Sequence, residues 1–337
     1  MINQTGRERT VKASVVIPVK NGGELLRRVL AAVTDQETPW TYEVLVIDSG
    51  STDGSPETVR AFDGVALHTI DPGEFGHGRT RNLGAALTRG EYVAYLTQDA
   101  LPADRHWLRR LVAALEADPA IAGAFGRHLP YPDAGPLTAR ELREHFAGFG
   151  SADTIHRIED PQRYRRDPGY RQRLHFFSNN NSCLRRSVWE RIPFPEVDFA
   201  EDQLWARTVI EAGYATVYVP GACVYHSHDF GVLETFRRAF DEGRAFKRYF
   251  DYDLVPGVPT LLRQWSRLTW RDWTWVAEAG LPLSRRWSWQ ARVPFRVLAR
   301  LAGYYAGGRS AGRLPAWVER RMSRDQTLQA MEGPGSE

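Results

Sequence analysis

The chain has 337 residues, of which 42% are hydrophobic and 25% are charged, and its formal net charge is +3. This length fits one large domain, or one domain with a substantial appendage, of a soluble globular protein. The small net charge gives no sign of nucleic-acid binding. Two cysteines, Cys183 and Cys223, exclude a disulfide framework and favour a reducing compartment.

The N-terminal segment MINQTGRERTVK has no apolar run of the kind that a signal peptide contains. No stretch of about 18 uninterrupted apolar residues occurs, so we expect no transmembrane helix. A cytoplasmic protein is predicted.

Strand-like and helix-like segments alternate over the first part of the chain. Residues 13–21 (ASVVIPVKN) predict a buried strand that ends at Pro18. Apolar residues then recur at helical spacing: Leu25, Leu26, Val29, Leu30 and Val33. A second strand, YEVLVID, is followed by a loop rich in Gly, Ser and Asp. Ser55 before Pro56 predicts a capped helix start.

The alternation continues to residue 118. VALHTI predicts a third strand, RTRNLGAALTRG a helix closed by Gly90, and EYVAYLTQD a fourth strand. Residues 104–118 then predict an amphipathic helix. This order indicates an α/β fold in which helices flank a mainly parallel sheet.

Acidic residues stand at the carboxyl ends of two predicted strands. Asp48 ends the second strand and Asp99 ends the fourth. Because ligands of parallel sheets bind outside these ends, the two acids predict a shared cleft. After about Leu129 the alternation breaks, and beyond Gly231 the chain becomes helical, basic and rich in tryptophan.

Two nucleotide-binding motifs are absent. FGHGRTRNLG has Gly76 and Gly78, but Arg81 stands where the dinucleotide fingerprint needs its third glycine, and no GxxxxGK[ST] loop occurs. Hydride transfer and phosphate-loop ATPase activity are therefore disfavoured. The remaining candidates for chemistry are acids and histidines: Asp48, Asp53, Asp99, Glu201, Asp202, His226 and His228.

Five segments in order resemble glycosyltransferase family 2: VVIPVKN, VLVIDSGSTDGS, RTRNLG, GEYVAYLTQDALP and FAEDQLWARTVIEAGY. Within that family YLTQDALP, GRHLPYPDAGP, FSNNNS, AEDQLWA, VYHSH and the tail segment RLAGYYAGGRSAGRLP are similar to bacterial rhamnosyltransferases. The resemblance implies a GT-A (Rossmann-like) catalytic domain over 1–230. Its nucleotide-sugar half would span about 13–128 and its acceptor half about 129–230. A helical, basic region over 231–337 would follow.

The resemblance also implies donor-binding roles. Asp48 would hydrogen-bond the pyrimidine base of the donor, and the loop from Ser49 to Asp53 would close around it, beside Pro18. Asp53 could equally be a turn or helix-capping residue. Further donor contacts are expected from four residues: His77, Arg81, Gln98 and Arg127. Arg81 is the preferred partner of the phosphates, although each arginine alone could be a surface cation.

A divalent metal, Mg²⁺ or Mn²⁺, is implied at Asp99, which would replace the last acid of the family's DxD motif. Thr97 and Gln98 stand where further acids are expected, and one carboxylate alone is a weak site for a hard cation. His226 would join the metal, since imidazole suits manganese-like ions. Otherwise His226 would be a loop residue bonded to backbone. His228 is the weaker candidate.

Asp202 is the implied catalytic base, and Glu201 is the second choice. A carboxylate within hydrogen-bond reach can take the proton of an attacking sugar hydroxyl. The structural alternative is an acidic first turn of a helix, where amide dipoles favour ionised side chains. Asn179 and Asn180 are expected to contact the acceptor.

The C-terminal region is basic and aromatic. Six of the eleven tryptophans fall between Trp265 and Trp289, and twelve arginines occur with three acids between Arg263 and Arg321. Tryptophan with arginine suits an anionic membrane surface on the inner face of the cell membrane, where a lipid-linked acceptor would lie. A helical subdomain that packs its tryptophans internally, or a homodimer interface, is the alternative.

Taken together, the resemblance predicts an inverting transfer of a sugar, L-rhamnose from dTDP-L-rhamnose, to a saccharide or lipid-linked saccharide hydroxyl. Two alternatives stay open. A nucleotidyltransferase also places acids at the ends of parallel strands. A non-catalytic, membrane-associated sugar-binding protein would account for the single acid of the triplet Thr97-Gln98-Asp99.

Overall fold

The structure is a computed structural model that describes residues 10–197, 199–310 and 315–324. The described residues do not include the N-terminal segment up to residue 9, part of the tail segment at 311–314 and the end of the C-terminal region from 325.

The strands are β1 Val11–Val19, β2 Thr41–Asp48, β3 Val65–Thr69, β4 Tyr92–Leu96, β5 Leu101–Pro102, β6 Ile121–Leu129, β7 Thr154–His156, β8 Asn181–Arg185 and β9 Ala215–Tyr225. The helices are α1 Gly23–Thr34, α2 Ser55–Arg60, α3 His77–Leu87, α4 Trp107–Glu116, α5 Pro136–Ala147, α6 Pro161–Arg166, α7 Pro168–His175, α8 Arg186–Trp189, α9 Glu201–Glu211, α10 Val232–Phe250, α11 Val258–Glu278, α12 Leu283–Ser310 and α13 Ala316–Met322.

The strands form one sheet in the order β3-β2-β1-β4-β8-β6-β9-β5, and β7 pairs with β9. β1 is parallel to β2 and to β4, and β6 is parallel to β9, whereas β8 runs antiparallel between β4 and β6. The predicted α/β fold with a helical C-terminal region is therefore confirmed. The parallel character is strongest in the half formed by β1 to β4.

Contacts divide the chain into two compact units. The first comprises the residues up to Pro132 together with Leu142–Ser227, and the second comprises Asp133–Glu141 and the residues from His228 on. The expected boundary at residue 230, and the split of the catalytic part into two functional halves, remain predictions.

The sheet of the first unit is buried on both faces, as its continuous apolar strands require. Val15 and Ile17 of β1 join a core with Trp107 of α4, whereas Val16, on the other face, joins a core with Trp205 of α9. This rigid sheet fixes the positions of the loops at its edges.

Two details of the predicted helices are wrong. α3 ends at Leu87 and is not closed by Gly90. Gly90 instead lies against β1, where an added Cβ would be 2.5 Å from the carbonyl carbon of Ala13. The cap of α2 is Gly54 and not Ser55, because Ser55 already has helical geometry and its hydroxyl donates to Asp53.

In the second unit, α10 packs closely on α12. An added Cβ at Gly303 or Gly307 would lie within 2.4 Å of a backbone carbonyl oxygen of α10. A small core forms around Val276 of α11 and Val293 of α12. Helices α11 and α12 are joined by a hydrogen bond from Trp265 Nε1 to the Pro294 carbonyl, 2.9 Å.

The six clustered tryptophans of this unit divide into two groups. Trp265, Trp275 and Trp289 pack against the small core. The other three are exposed, to 69% at Trp270, 37% at Trp273 and 61% at Trp287. Internal packing thus accounts for half of them. Within the described ranges, no helix is both long and apolar enough to cross a membrane.

Candidate active site

Sheet topology places the predicted site residues at one edge of the sheet. Asp48 ends β2, Asp99 follows β4 and His226 follows β9, each at a carboxyl end. Because β8 is antiparallel to β4, its amino end lies at this same edge, where Leu96 pairs with Asn181. The segment before β8 contains Asn179, whose backbone N–H donates to Asp202. The carboxyl ends that carry Asp48 and Asp99 therefore lie on the same side of the sheet, and a cleft shared by these acids remains a prediction.

Asp48 is 1% exposed and holds the loop that follows β2. Its Oδ1 accepts the backbone N–H groups of Gly50 and Ser51, at 3.0 and 2.9 Å. Its Oδ2 is buried and has no hydrogen-bond partner among the described residues. A buried carboxylate oxygen without a partner is costly, so this atom is suited to accept an N–H from a ligand.

Other predicted donor contacts fix the loops after β1 and β2. The Ser49 hydroxyl donates to the Val19 carbonyl at 3.1 Å. Asp53 accepts the Gly23 N–H at 2.9 Å and the Ser55 hydroxyl at 2.6 Å. Burial alone would raise the pKa of Asp53, but these hydrogen bonds outweigh it and lower that pKa. Asp53 therefore makes the turn contacts named as its alternative role.

Gln98 occupies a position where the resemblance leads one to expect an acid. Its hydrogen bonds explain why an amide is found there instead. Its Oε1 accepts the Lys20 N–H at 2.7 Å and its Nε2 donates to the Lys20 carbonyl at 2.9 Å. A carboxylate has no N–H and could make only the first of these bonds. Gln98 thus ties the loop after β4 to the loop after β1.

Asp99 and His226 meet because the short strand β5 pairs with the end of β9, Leu101 opposite Tyr225. His226 Nε2 lies 3.6 Å from Asp99 Oδ1. His228, the weaker candidate from the sequence, lies near both: one ligand atom from each of Asp99, His226 and His228 lies within 4.8 Å of the others. Residues two apart point to one side of a strand, so the spacing of His226 and His228 is the sequence signal for such a pair.

His128 lies next to His226 of the candidate metal group. Its ring is buried and its centroid lies 5.2 Å from that of His226. Burial, followed by the neighbouring His226, lowers the pKa of His128 well below its ordinary value. The ring of His128 is therefore neutral and adds no positive charge against a bound cation.

Glu201 and Asp202 begin α9, as the sequence predicts. Ala200 before them has a φ of +62°, a left-handed conformation that is uncommon for a residue other than glycine. Asp202 Oδ1 accepts the Gln203 N–H at 2.8 Å and Oδ2 accepts the Asn179 N–H at 3.2 Å. Such local strain beside candidate catalytic groups is a recurrent feature of functional sites.

The pKa values of Glu201 and Asp202 are shifted in opposite directions. Burial and the neighbouring charge of Glu201 raise the pKa of Asp202 to about 7. Burial also acts to raise the pKa of Glu201, but the guanidinium of Arg81, then His77, bring it below its usual range. Asp202 is therefore the better proton acceptor near neutral pH, and Glu201 remains ionised.

The structure places the remaining predicted residues as follows. Arg81 is buried and paired with Glu201. Asn179 is also buried, and its side chain binds Glu201 and Ser182. Arg127 donates to the Tyr218 hydroxyl at 3.2 Å. His77 begins α3, Asn180 lies in the turn before β8, and Pro18 pairs with Ile47 within the sheet.

Comparison with known proteins shows the family of the chain. Residues 14–192 match the family model for glycosyl transferase family 2. The chain is 35% identical over 236 residues to the O-antigen chain rhamnosyltransferase RfbN of Salmonella typhimurium, which covers 69% of this chain and 72% of the relative. It is 30% identical to the O-antigen chain rhamnosyltransferase WbaN of Salmonella anatum, over 68% of this chain and 70% of the relative.

Solved structures agree on the fold. A mannosyltransferase from Pyrobaculum calidifontis, in complex with GDP-Man and Mn²⁺, superposes with a TM-score of 0.55 at 19% identity, over 89% of this chain and 91% of that one. The expected GT-A fold is confirmed. The chain belongs to glycosyl transferase family 2 and is a glycosyltransferase.

Proposed function

We propose that this enzyme transfers L-rhamnose from dTDP-L-rhamnose to a hydroxyl of a saccharide or lipid-linked saccharide, with inversion at the anomeric carbon. The choice of sugar is supported by the two Salmonella relatives, which are named rhamnosyltransferases. The observation that carries the chemistry is the position of Asp202. It is a carboxylate with a pKa of about 7 at the sheet edge that also holds Asp48 and Asp99.

The proposed reaction is a single displacement. The acceptor oxygen forms a bond to the anomeric carbon while the bond from that carbon to the phosphate oxygen breaks. The electron pair leaves with the nucleoside diphosphate, and the acceptor proton passes to Asp202. A positioned base of this kind contributes about a hundredfold to ten-thousandfold in rate, most effectively when its pKa lies near the working pH.

A divalent metal fits the group formed by Asp99, His226 and His228, whose ligand atoms lie within 4.8 Å of one another. One carboxylate and two imidazoles suit a manganese-like ion better than magnesium, which prefers oxygen ligands. Bound there, it would supply positive charge against the pyrophosphate of the donor. Asp99→Asn and His226→Ala variants should lose Mn²⁺ affinity in a calorimetric titration without donor.

The donor base is assigned to Asp48, whose buried Oδ2 has no partner in the described chain. Pro18, Ser49, His77, Gln98 and Arg127 remain proposed donor neighbours. Asn180 remains a proposed acceptor contact. For Arg81 and Asn179 the observed hydrogen bonds favour a different role, developed below.

Assays with a panel of nucleotide sugars test the proposal. Binding and slow hydrolysis of dTDP-L-rhamnose, stimulated by Mn²⁺, are expected. Turnover of a nucleoside triphosphate in place of a nucleotide sugar would favour a nucleotidyltransferase. Binding without hydrolysis or transfer, with or without Mn²⁺, would favour a sugar-binding protein.

A membrane surface is the proposed partner of helices α11 and α12. On α12, Trp287, Phe295 and Leu298 are exposed at a spacing that directs them to one face. Exposed Arg285 and Arg292 lie on the same helix. Exposed aromatic residues with neighbouring arginines match the interface of an anionic bilayer.

Flotation with phosphatidylcholine vesicles, with and without phosphatidylglycerol, tests this contact. The full chain should float only with the anionic lipid, and a Trp287→Ser/Phe295→Ser variant should not. Leu87→Ser, which removes an exposed leucine of α3, is the matched control and should still float. A chain that does not float with anionic lipid, but sediments as a dimer that the double variant disrupts, would show that this face of α12 is a homodimer interface.

A further inference from the structure

We propose that Arg81, Glu201 and Asn179 form a positioning network that holds Asp202 for proton transfer, and that Arg81 does not contact the donor phosphates. The inference rests on the proposed role of Asp202 as the general base. It also assigns functions to two residues for which the sequence indicates substrate contacts.

The side chain of Arg81 is buried and hydrogen-bonded within the protein. Its Nη1 donates to Glu201 Oε1 and to the His77 carbonyl, both at 3.0 Å. The side chains of Arg81 and Glu201 are 6% and 7% exposed. A buried guanidinium that compensates a buried carboxylate cannot move to a ligand without leaving that carboxylate unpaired, which is strongly unfavourable.

Asn179 connects the two acids. Its backbone N–H donates to Asp202 Oδ2 and its Nδ2 donates to Glu201 Oε1, both at 3.2 Å. Its Oδ1 accepts the Ser182 hydroxyl at 3.0 Å, which fixes the orientation of the amide. One residue thus sets the spacing of the two carboxylates and is itself anchored to β8.

The charges around Asp202 come from two helices. Helix α3 contributes Arg81 and α9 contributes Glu201, the segment before β8 contributes the uncharged Asn179, and His77 of α3 acts on Glu201. Because Arg81 keeps Glu201 ionised, Asp202 has a permanent negative neighbour. That neighbour makes Asp202 a stronger proton acceptor than an isolated aspartate.

The test is the pH dependence of kcat for the full-length enzyme. In wild type the acid limb should fall with an apparent pKa near 7. Glu201→Gln removes the neighbouring charge and should move this limb to lower pH, and Asn179→Ser should lower kcat with the donor KM unchanged. Arg81→Lys, which retains the charge, should keep the donor KM within about threefold of wild type, because one lost hydrogen bond to the donor would change it more.

Two results would overturn the proposal. One is an acid limb that does not move in Glu201→Gln although that variant folds, as judged by circular dichroism. The other is a donor KM that rises tenfold or more in Arg81→Lys with kcat unchanged, which is the behaviour of a phosphate ligand. Near-normal turnover of Asp202→Asn would instead remove the proposed base, so the two failures are distinguishable. If Arg81→Lys does not fold, the Glu201→Gln profile still decides.

Discussion

Asp202 in the first unit is half-buried and Asp272 in the second is buried, and the charges beside them differ in sign. Asp272 is 1% exposed and lies between two arginines, 2.6 Å from Arg140 Nη2 and 2.9 Å from Arg271 Nε. Asp202 has the acid Glu201 beside it, and its hydrogen bonds come from uncharged backbone N–H groups.

The difference separates structural from chemical use of the same side chain. Paired with cations, a buried carboxylate fixes the segments that carry those cations to one another. Beside another acid it gains affinity for a proton near neutral pH, at a cost in stability that the fold must offset.

The largest effect is expected at Asp202. Asp202→Asn retains the shape but cannot take a proton, so kcat should fall by about a hundredfold or more. Donor affinity, measured by calorimetry, should change little. A variant with nearly normal turnover would contradict the assignment.

Asp272→Asn should act on stability instead. It leaves Arg140 buried beside a neutral amide, which should lower the free energy of unfolding by about 3 kcal/mol. Asp251→Asn is the matched control, because the pair of Asp251 with Lys247 is exposed and its loss should change stability little. Guanidinium unfolding followed by circular dichroism measures both, and equal losses would refute the distinction.

Helix packing in the second unit can be probed by two adjacent glycines. An added Cβ at Gly307 would lie 2.2 Å from the Phe240 carbonyl oxygen, so Gly307→Ala should lower stability by about 1–3 kcal/mol. At Gly308 the nearest atom is 3.6 Å away, so Gly308→Ala should raise stability by roughly 0.5–1 kcal/mol through helix propensity. Thermal unfolding of both variants gives the answer, and equal shifts would rule out the close helix contact.

The last prediction concerns the pH dependence of stability. Because its folded pKa of about 7 is above that of the unfolded chain, Asp202 binds more protons in the native state, and its contribution to stability is lost as pH rises towards 7. Asp202→Asn lacks this loss, so it should be more stable than wild type at pH 8 and closest to it at pH 5. Unfolding curves at both pH values measure the gap, and a constant gap would show that Asp202 does not titrate in this range.

Much of the fold and part of the site could be predicted from the sequence. The positions of Asp48 and Asp99 at strand ends could be predicted because strand ends can be read from apolar runs, and parallel strands place those ends together. The acidic first turn of α9, Glu201 and Asp202, could also be predicted from the local sequence. The misplaced helix end at Gly90 shows the limit of such rules, since a close approach to β1 requires that glycine and no cap does.

The partners of buried charges could not be predicted. Arg81 is 120 positions from Glu201, and nothing in its neighbourhood shows that it faces inward. An arginine beside a presumed cleft is therefore taken for a phosphate ligand until its burial is known. From the sequence alone, Gln98 stands where an acid is expected. An amide at that position is explained only by its tertiary partner, the backbone N–H and carbonyl of Lys20.

That amide has a mechanical consequence. The Gln98 amide joins the loop after β1, which contacts the loop that follows Asp48, to the loop after β4, which carries Asp99. The proposed nucleobase site and the proposed metal ligand are thereby held at a fixed distance. A donor molecule reaching across both would meet groups whose separation was fixed when the protein folded. Little of its affinity would then be lost to ordering them.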